Sequence, residues 1–394
     1  MIQILRSFQC FLICRGNWLV IILGTFVGLS ALSATAGQSR IYIGSYTTGD
    51  SISEGIYTCL INEETGELSE PVLATTADNP TFLGIHPSLP LLFSVSELDD
   101  FQGKSQGAIN VYRIHGDSGE LEFINQQPTA GAAPCHLSID NSGKFVLVAN
   151  YTGGSTVVFP IAADGSIGKH SCLIQHEGSG PNPLRQEKAH AHSVNLTTDN
   201  KFAYVADLGT DKIWIFEFDS EQGKLIPATP AFASVACGSG PRHFDLSSDE
   251  RFAWSNNELT SSVTCFIRDT TSGQLTPVQE LSTLPIEFKG QNSTAECRLH
   301  PNGRFVYISN RGHDSIAVYS VANNGQLTLI EIEKTGGKEP RNFYILPNGK
   351  WLIAENQNSD RIVVFAVAAD GSLTPTQHSI TVGRPVCIRQ FVHN

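Results

Sequence analysis

The chain has 394 residues, 41% of them hydrophobic and 16% charged, proportions that exclude a disordered polymer. It carries 26 Lys and Arg against 38 Asp and Glu, a formal net charge of −12, which excludes holding nucleic acid through bulk positive charge. Its 35 Gly and 19 Pro are spread over the whole length and rule out a coiled coil.

Residues 1–36 contain no acid and two arginines, Arg6 and Arg15, ahead of the apolar run Leu19–Ser33 and then Ala34-Thr35-Ala36. A basic start, a short apolar stretch and an A-x-A sequence predict a secretory signal peptide cleaved after Ala36. The run is shorter than the ~20 residues a spanning helix needs, so an uncleaved anchor is the weaker reading. The expectation is an exported protein, free of the membrane after cleavage, with residues 37–394 as one domain. Cys10 and Cys14 leave with the signal. Cys59, Cys135, Cys172, Cys237, Cys265, Cys297 and Cys387 remain, scattered and without a C-x-x-C. That pattern predicts free thiols rather than a disulfide framework or a zinc site.

From Ile41 onward the chain repeats itself. PCHLSIDNSGKFVLVANY, AHSVNLTTDNKFAYVADL and AECRLHPNGRFVYISNRG each hold an alternating apolar run, a turn rich in Asn, Asp, Ser and Gly, and a second apolar run ending at a polar residue. Pattern and turn chemistry predict β-hairpins. The residue after the turn is Leu91, Phe145, Phe202, Phe252, Phe305 and Trp351, at spacings of 46 to 57. A second hairpin follows each time, as in GAINVYRIHGDSGELEF or DRIVVFAVAADGSLTPT, with a Gly two places before the strand resumes. Four strands at this period predict an all-β, seven-bladed β-propeller with four antiparallel strands per blade. One hairpin is split between Ile41–Tyr46 and Arg384–Phe391. Pairing the two ends of the chain in one blade closes the ring and removes two sheet edges.

Aligning the repeats brings chosen positions to one mouth of the central channel. Just past each second strand stand Tyr46, Glu97, Tyr151, Leu208, Glu258, Arg311 and Gln357. The preceding column, Ser45, Ser96, Asn150, Asp207, Asn257, Asn310 and Asn356, is expected to bond its own turn backbone. At the start of the first strand two columns read Thr81, Cys135, His192, Arg242, Ala295, Arg341, Val386 and Phe82, His136, Ser193, His243, Glu296, Asn342, Cys387. Gathering His136, Arg242, His243, Glu258, Glu296, Arg311 and Arg341 on one rim has no scaffold reason. His190 and His192 share a strand face, but no third ligand has suitable spacing, so no metal is expected. Zinc-protease motifs, P-loops and dinucleotide fingerprints are absent from the sequence.

The motifs YIGSYT, PCHLSID, VANYTGGS, HEGSGPNPLRQEKAHAHS, DLGTDKI, GSGPRH, NNELTSSV, YISNRGHDSIAVY and TGGKEPRNF resemble the seven-bladed propeller lactonase family. That family includes propeller-type 6-phosphogluconolactonases and fungal muconate-lactonising enzymes, and the resemblance runs from Ile41 to Phe391. It implies lactone chemistry without a cofactor. It carries over Arg185 and Gln186 of LRQE, His190 and His192 of HAHS, Arg242 and His243 of GPRH, Glu258 of NNEL and Arg311 of SNRG. Glu296 is similar to a position that is often acidic there.

The reaction expected is hydrolysis of an anionic sugar lactone, 6-phosphogluconolactone or a close analogue, by a monomer. Glu258 or Glu296 would be the base, with a pKa raised by burial, and His243 or His192 the acid. Arg242 and Arg311 would stabilise the oxyanion. Arg185 and Arg341 would hold a phosphate or carboxylate, with His136, Gln186, His190 and His192 lining the substrate. The rival readings are a cycloisomerase acting on a muconate-type dicarboxylate and a non-enzymatic propeller binding protein or carbohydrate.

Overall fold

A computed structural model describes residues 37–392 except Asp117. The signal peptide expected over residues 1–36 lies outside the described residues. The rest folds into seven four-stranded antiparallel sheets. Blade 1 takes its inner strand, Pro385–Phe391, from the C-terminal end of the chain and pairs it with Gln38–Ser45. The inner strands of blades 2 to 7 are Leu83–Ile85, Pro134–Ile139, Ala191–Leu196, Pro241–Leu246, Ser293–Leu299 and Pro340–Ile345. Each of these seven strands touches the next, and that of blade 7 touches that of blade 1. The ring is closed. Among the described residues the only helical turn is Gln357–Ser359, so the all-β expectation holds.

The seven cysteines are free, and five of them are buried. The apolar column Leu83, Leu137, Val194, Phe244, Cys297, Phe343 and Ile388 is buried throughout, packing each inner strand against its neighbours. Second strands such as Phe145–Asn150 are buried at every position, because each sheet is covered on both faces by adjoining blades. Outer strands such as Leu121–Pro128 are largely open.

Two sequence columns meet from blade to blade. Phe145 lies against Gly223, Phe202 against Gly273, Phe252 against Gly325, Phe305 against Gly371 and Trp351 against Gly66. Each glycine belongs to the outer hairpin of the following blade, so the residue after one blade's first turn packs on the next blade's second turn. A Cβ at Gly273 would stand 2.5 Å from the Phe202 ring, and φ there is +73°. Gly273→Ala is therefore expected to cost about 1–3 kcal/mol, read as a lower urea midpoint at unchanged slope.

The polar column ahead of the mouth does more than expected. Asn150, Asn310 and Asn356 donate to the carbonyls of Thr129, Thr283 and Thr335, each at the end of the preceding blade. They tie neighbouring blades together, while Asn150 and Asn310 also donate to Ser155 and Ser315 of their own hairpins and Asp207, as expected, accepts from the Gly209 amide of its own turn.

Candidate active site

Six of the seven inner strands begin with a one-residue register shift against the second strand. The shift falls at Cys135, His192, Arg242-His243, Ala295-Glu296, Arg341 and Val386. A β-bulge ends the ladder and re-aims a side chain. Here it turns one residue per blade toward the mouth while the next faces the channel. The two columns read from the sequence are the two sides of this bulge.

Glu258 is the centre of the mouth. Its Oε2 lies 3.0 Å from Arg242 Nε and 3.1 Å from Arg311 Nη2, and its Oε1 2.5 Å from Arg185 Nη2. Arg242 and Arg311 are buried, whereas the Arg185 side chain is 40% exposed. Arg242 also donates to the Ala295 carbonyl, Arg311 to that of Thr294 and Arg185 to the Tyr151 hydroxyl. Burial by itself would raise the Glu258 pKa, but Arg311, Arg242 and Arg185 outweigh it and hold the pKa at about 2. Glu258 thus sits among three guanidiniums that favour its charged form. That environment works against the role of base expected of it, because a carboxylate held this firmly accepts a proton poorly.

Glu296 departs from the expectation in the same way. His243 Nδ1 lies 2.8 Å from its Oε1, Arg298 Nε lies 3.4 Å from that oxygen, and the Cys297 amide donates to it. Burial opposes the charge, yet Arg298 and His243 overcome it and keep Glu296 ionised well below the usual range. Burial, with Arg242 and Arg298 adding to it, pulls the His243 pKa down to about 4 against the pull of Glu296. The imidazole is neutral near pH 7, its Nδ1–H held by a carboxylate. Its Nε2 is bonded to no protein group among the described residues. Carboxylate, oriented imidazole and free nitrogen form the arrangement of a general base. Glu296 fixes the orientation of His243, the residue expected as the acid, and leaves its other nitrogen open.

Two further imidazoles flank His243, with ring centroids 5.3 Å (His136) and 5.5 Å (His192) from its own. Burial holds both well below the ordinary value. Phe82 packs 4.2 Å from the His136 ring, and Cys135 Sγ lies 3.6 Å from His192 Nδ1. Among the described residues no set of three or more His, Cys, Asp or Glu is arranged to hold a metal ion.

Two expected ligand residues are occupied elsewhere. Gln186 is wholly buried, donating to the Leu208 carbonyl and Asp211 Oδ1 and accepting from the Asn182 amide. It braces the loop that carries Arg185. His190 stacks on Tyr151, bonds the Tyr151 carbonyl through Nδ1 and faces Glu187 through Nε2, so both of its nitrogens are engaged. Arg341 differs. It lies over the Tyr46 ring, 5.4 Å from its centroid, and makes no hydrogen bond or ion pair among the described residues. Tyr46 and Thr81 both donate to Glu97 across the rim.

Several residues of the channel escaped the sequence reading. Asp245, Arg298, Tyr344 and Arg389 lie two places beyond His243, Glu296, Asn342 and Cys387, on the same strand faces. They line a cavity of about 210 Å3 toward the opposite end of the channel. Period-two alternation along the inner strands was the available signal.

Known proteins share this arrangement of blades. The chain is 37% identical over 302 residues to the 6-phosphogluconolactonase of Bacillus subtilis, covering 76% of this chain and 83% of that one. It is 33% identical over 309 residues to the 6-phosphogluconolactonase of Formosa agariphila, covering 77% and 85%. The solved structure of the periplasmic gluconolactonase PpgL of Pseudomonas aeruginosa superposes with a TM-score of 0.84 at 33% identity, over 90% of this chain and 99% of that one. The family model for lactonases with a seven-bladed β-propeller matches residues 40–390, and the chain belongs to that family.

Proposed function

We propose that this lactonase hydrolyses a sugar lactone carrying or resembling an anionic group, 6-phosphogluconolactone or its unphosphorylated counterpart. The observation that carries the reading is the His243 imidazole, held by Glu296 at 2.8 Å beside a buried array of guanidiniums. His243 Nε2 takes a proton from water as the water oxygen bonds the lactone carbonyl carbon. The carbonyl electron pair moves onto oxygen, where Arg242 and Arg311 lie ready as donors. As the tetrahedral species collapses, the bond from carbon to the ring oxygen breaks. The imidazolium, stabilised by Glu296, returns its proton to that oxygen and frees the hydroxy acid. Arg341, without a protein partner, takes the phosphate or another anionic group.

We also propose that the chain is exported with residues 1–36 removed. The leader pattern supports this, as does a relative named as periplasmic. An exported enzyme would meet the unphosphorylated sugar lactone, whereas 6-phosphogluconolactone is a cytosolic compound.

The test is turnover of glucono-1,5-lactone and 6-phosphogluconolactone by the exported chain, whose mass should show cleavage after Ala36. At least one lactone should be consumed, with a rate that falls only as pH drops through about 4, where His243 takes a proton. Stability should fall over a wider window. Between the ordinary histidine value of 6.5 and about 4, the unfolded chain binds a proton that folded His243 refuses, so acid favours unfolding. Failure to hydrolyse either compound, or a rate that falls near pH 6.5, overturns the assignment of His243.

A further inference from the structure

Of the buried carboxyls that the mechanism leaves unused, Glu355 is the one with no donor on either oxygen among the described residues. Glu355 occupies the position that the other six blades fill with Gly44, Val95, Ala149, Ala206, Asn256 and Ser309, all of them smaller and none of them charged. It is completely buried, and neither of its carboxyl oxygens meets a protein donor. Asn342, its direct partner across the sheet, has a buried Oδ1 that also lacks a donor. A third such acceptor is Oε2 of Glu296, on the adjoining inner strand of blade 6. These acceptors lie on adjoining strands of blades 6 and 7, and a cluster of buried acceptors is costly unless something supplies hydrogens.

The charges say where a hydrogen resides. Glu296 lies near enough to repel Glu355 electrostatically, yet no direct hydrogen bond joins them. Arg389 and Arg298 also face Glu355, without bonding it. Two neighbouring buried carboxyls do not both ionise when one can keep its proton. Glu296 has His243, Arg298 and the Cys297 amide to stabilise its charge. Glu355 has no donor among the described residues. The carboxyl without donors keeps the proton, and thereby becomes a donor in a pocket of acceptors.

We infer that Glu355 is a neutral carboxylic acid that donates, through bridging water, to the free oxygen of Glu296, and so positions the carboxylate that orients His243. The inference rests on the reading of His243 as the base. Glu355 touches no reacting atom and is a positioning residue. Water suits the bridge because the site is polar and adjoins the cavity lined by Asp245, Arg298, Tyr344 and Arg389.

Infrared difference spectra of the full chain at pH 7 should show the carbonyl stretch of a protonated carboxyl, absent from Glu355→Gln. That variant keeps a donor and should retain kcat within about threefold. Glu355→Leu supplies none and should lose about tenfold in kcat with KM unchanged. The proton on His243 Nδ1, far downfield by NMR in the natural chain, should move upfield in Glu355→Leu and stay in place in Glu355→Gln. A missing infrared band, or an unmoved Nδ1 proton in Glu355→Leu, overturns the inference. Neither measurement needs turnover, so both still decide the matter if no lactone proves to be a substrate. Equal losses of kcat in the two variants would also overturn it, since a purely structural role would not be rescued by the amide.

Discussion

His243→Ala should lower kcat by about a thousandfold on whichever lactone the natural chain hydrolyses, with KM changed little. The imidazole acts on water rather than on the bound sugar, so its loss falls on the transition state. Glu296→Gln should lower kcat as well, but by less, since the amide fills the same space while no longer stabilising the imidazolium. His136→Ala and His192→Ala should have smaller effects, because neither ring is held by a carboxylate among the described residues. Single-turnover rates of the four variants decide the assignment. If His192→Ala abolished turnover while His243→Ala left it intact, the base would be His192 and the Glu296 pair would have no part in the chemistry.

The second large effect is expected at Glu258, and here stability moves as much as rate. Glu258→Gln keeps the shape and removes the charge, leaving Arg242 and Arg311 buried without their anion. Stranding a buried charge costs about 3–5 kcal/mol, so the variant should unfold at much lower denaturant than the natural chain. Arg185→Ala removes the partner whose side chain is 40% exposed, where solvent screens the pair. It should cost under about 1 kcal/mol and act mainly on substrate binding. The contrast tests whether Glu258 is a structural anion or a base. A base would lose activity on conversion to Gln at nearly unchanged stability. Partial recovery of Glu258→Gln in chloride or phosphate would support the first role, since a small anion can replace the missing charge.

The fold was legible because it is periodic. Seven copies of one pattern report the same strands and turns independently, and the split hairpin at the ends of the chain states that the ring closes. The aromatic after the first turn and the glycine of the second were both visible as columns. Their contact was not, because it joins residues of consecutive blades that the alignment places in separate columns. The rim positions of Arg242, His243, Glu258, Glu296, Arg311 and Arg341 could likewise be read, since repeat alignment fixes where each strand begins. Gln186 and His190 could not be judged this way. They lie outside the repeat, in a loop and its junction with the strand, and only the folded loop shows their hydrogen bonds already spent on Leu208, Asp211 and Tyr151.

What the sequence by itself determined is therefore the architecture, the family and the set of ionisable groups at one end of the channel. What only the tertiary structure decided is which of those groups carries charge. A protonation state depends on distances of a few ångströms between side chains from different blades, where burial and ion pairing pull in opposite directions. Three guanidiniums keep Glu258 an anion, Arg298 and His243 do the same for Glu296, and burial keeps His243 neutral. No repeat encodes that balance, because each of these partners departs from the repeat in its own blade.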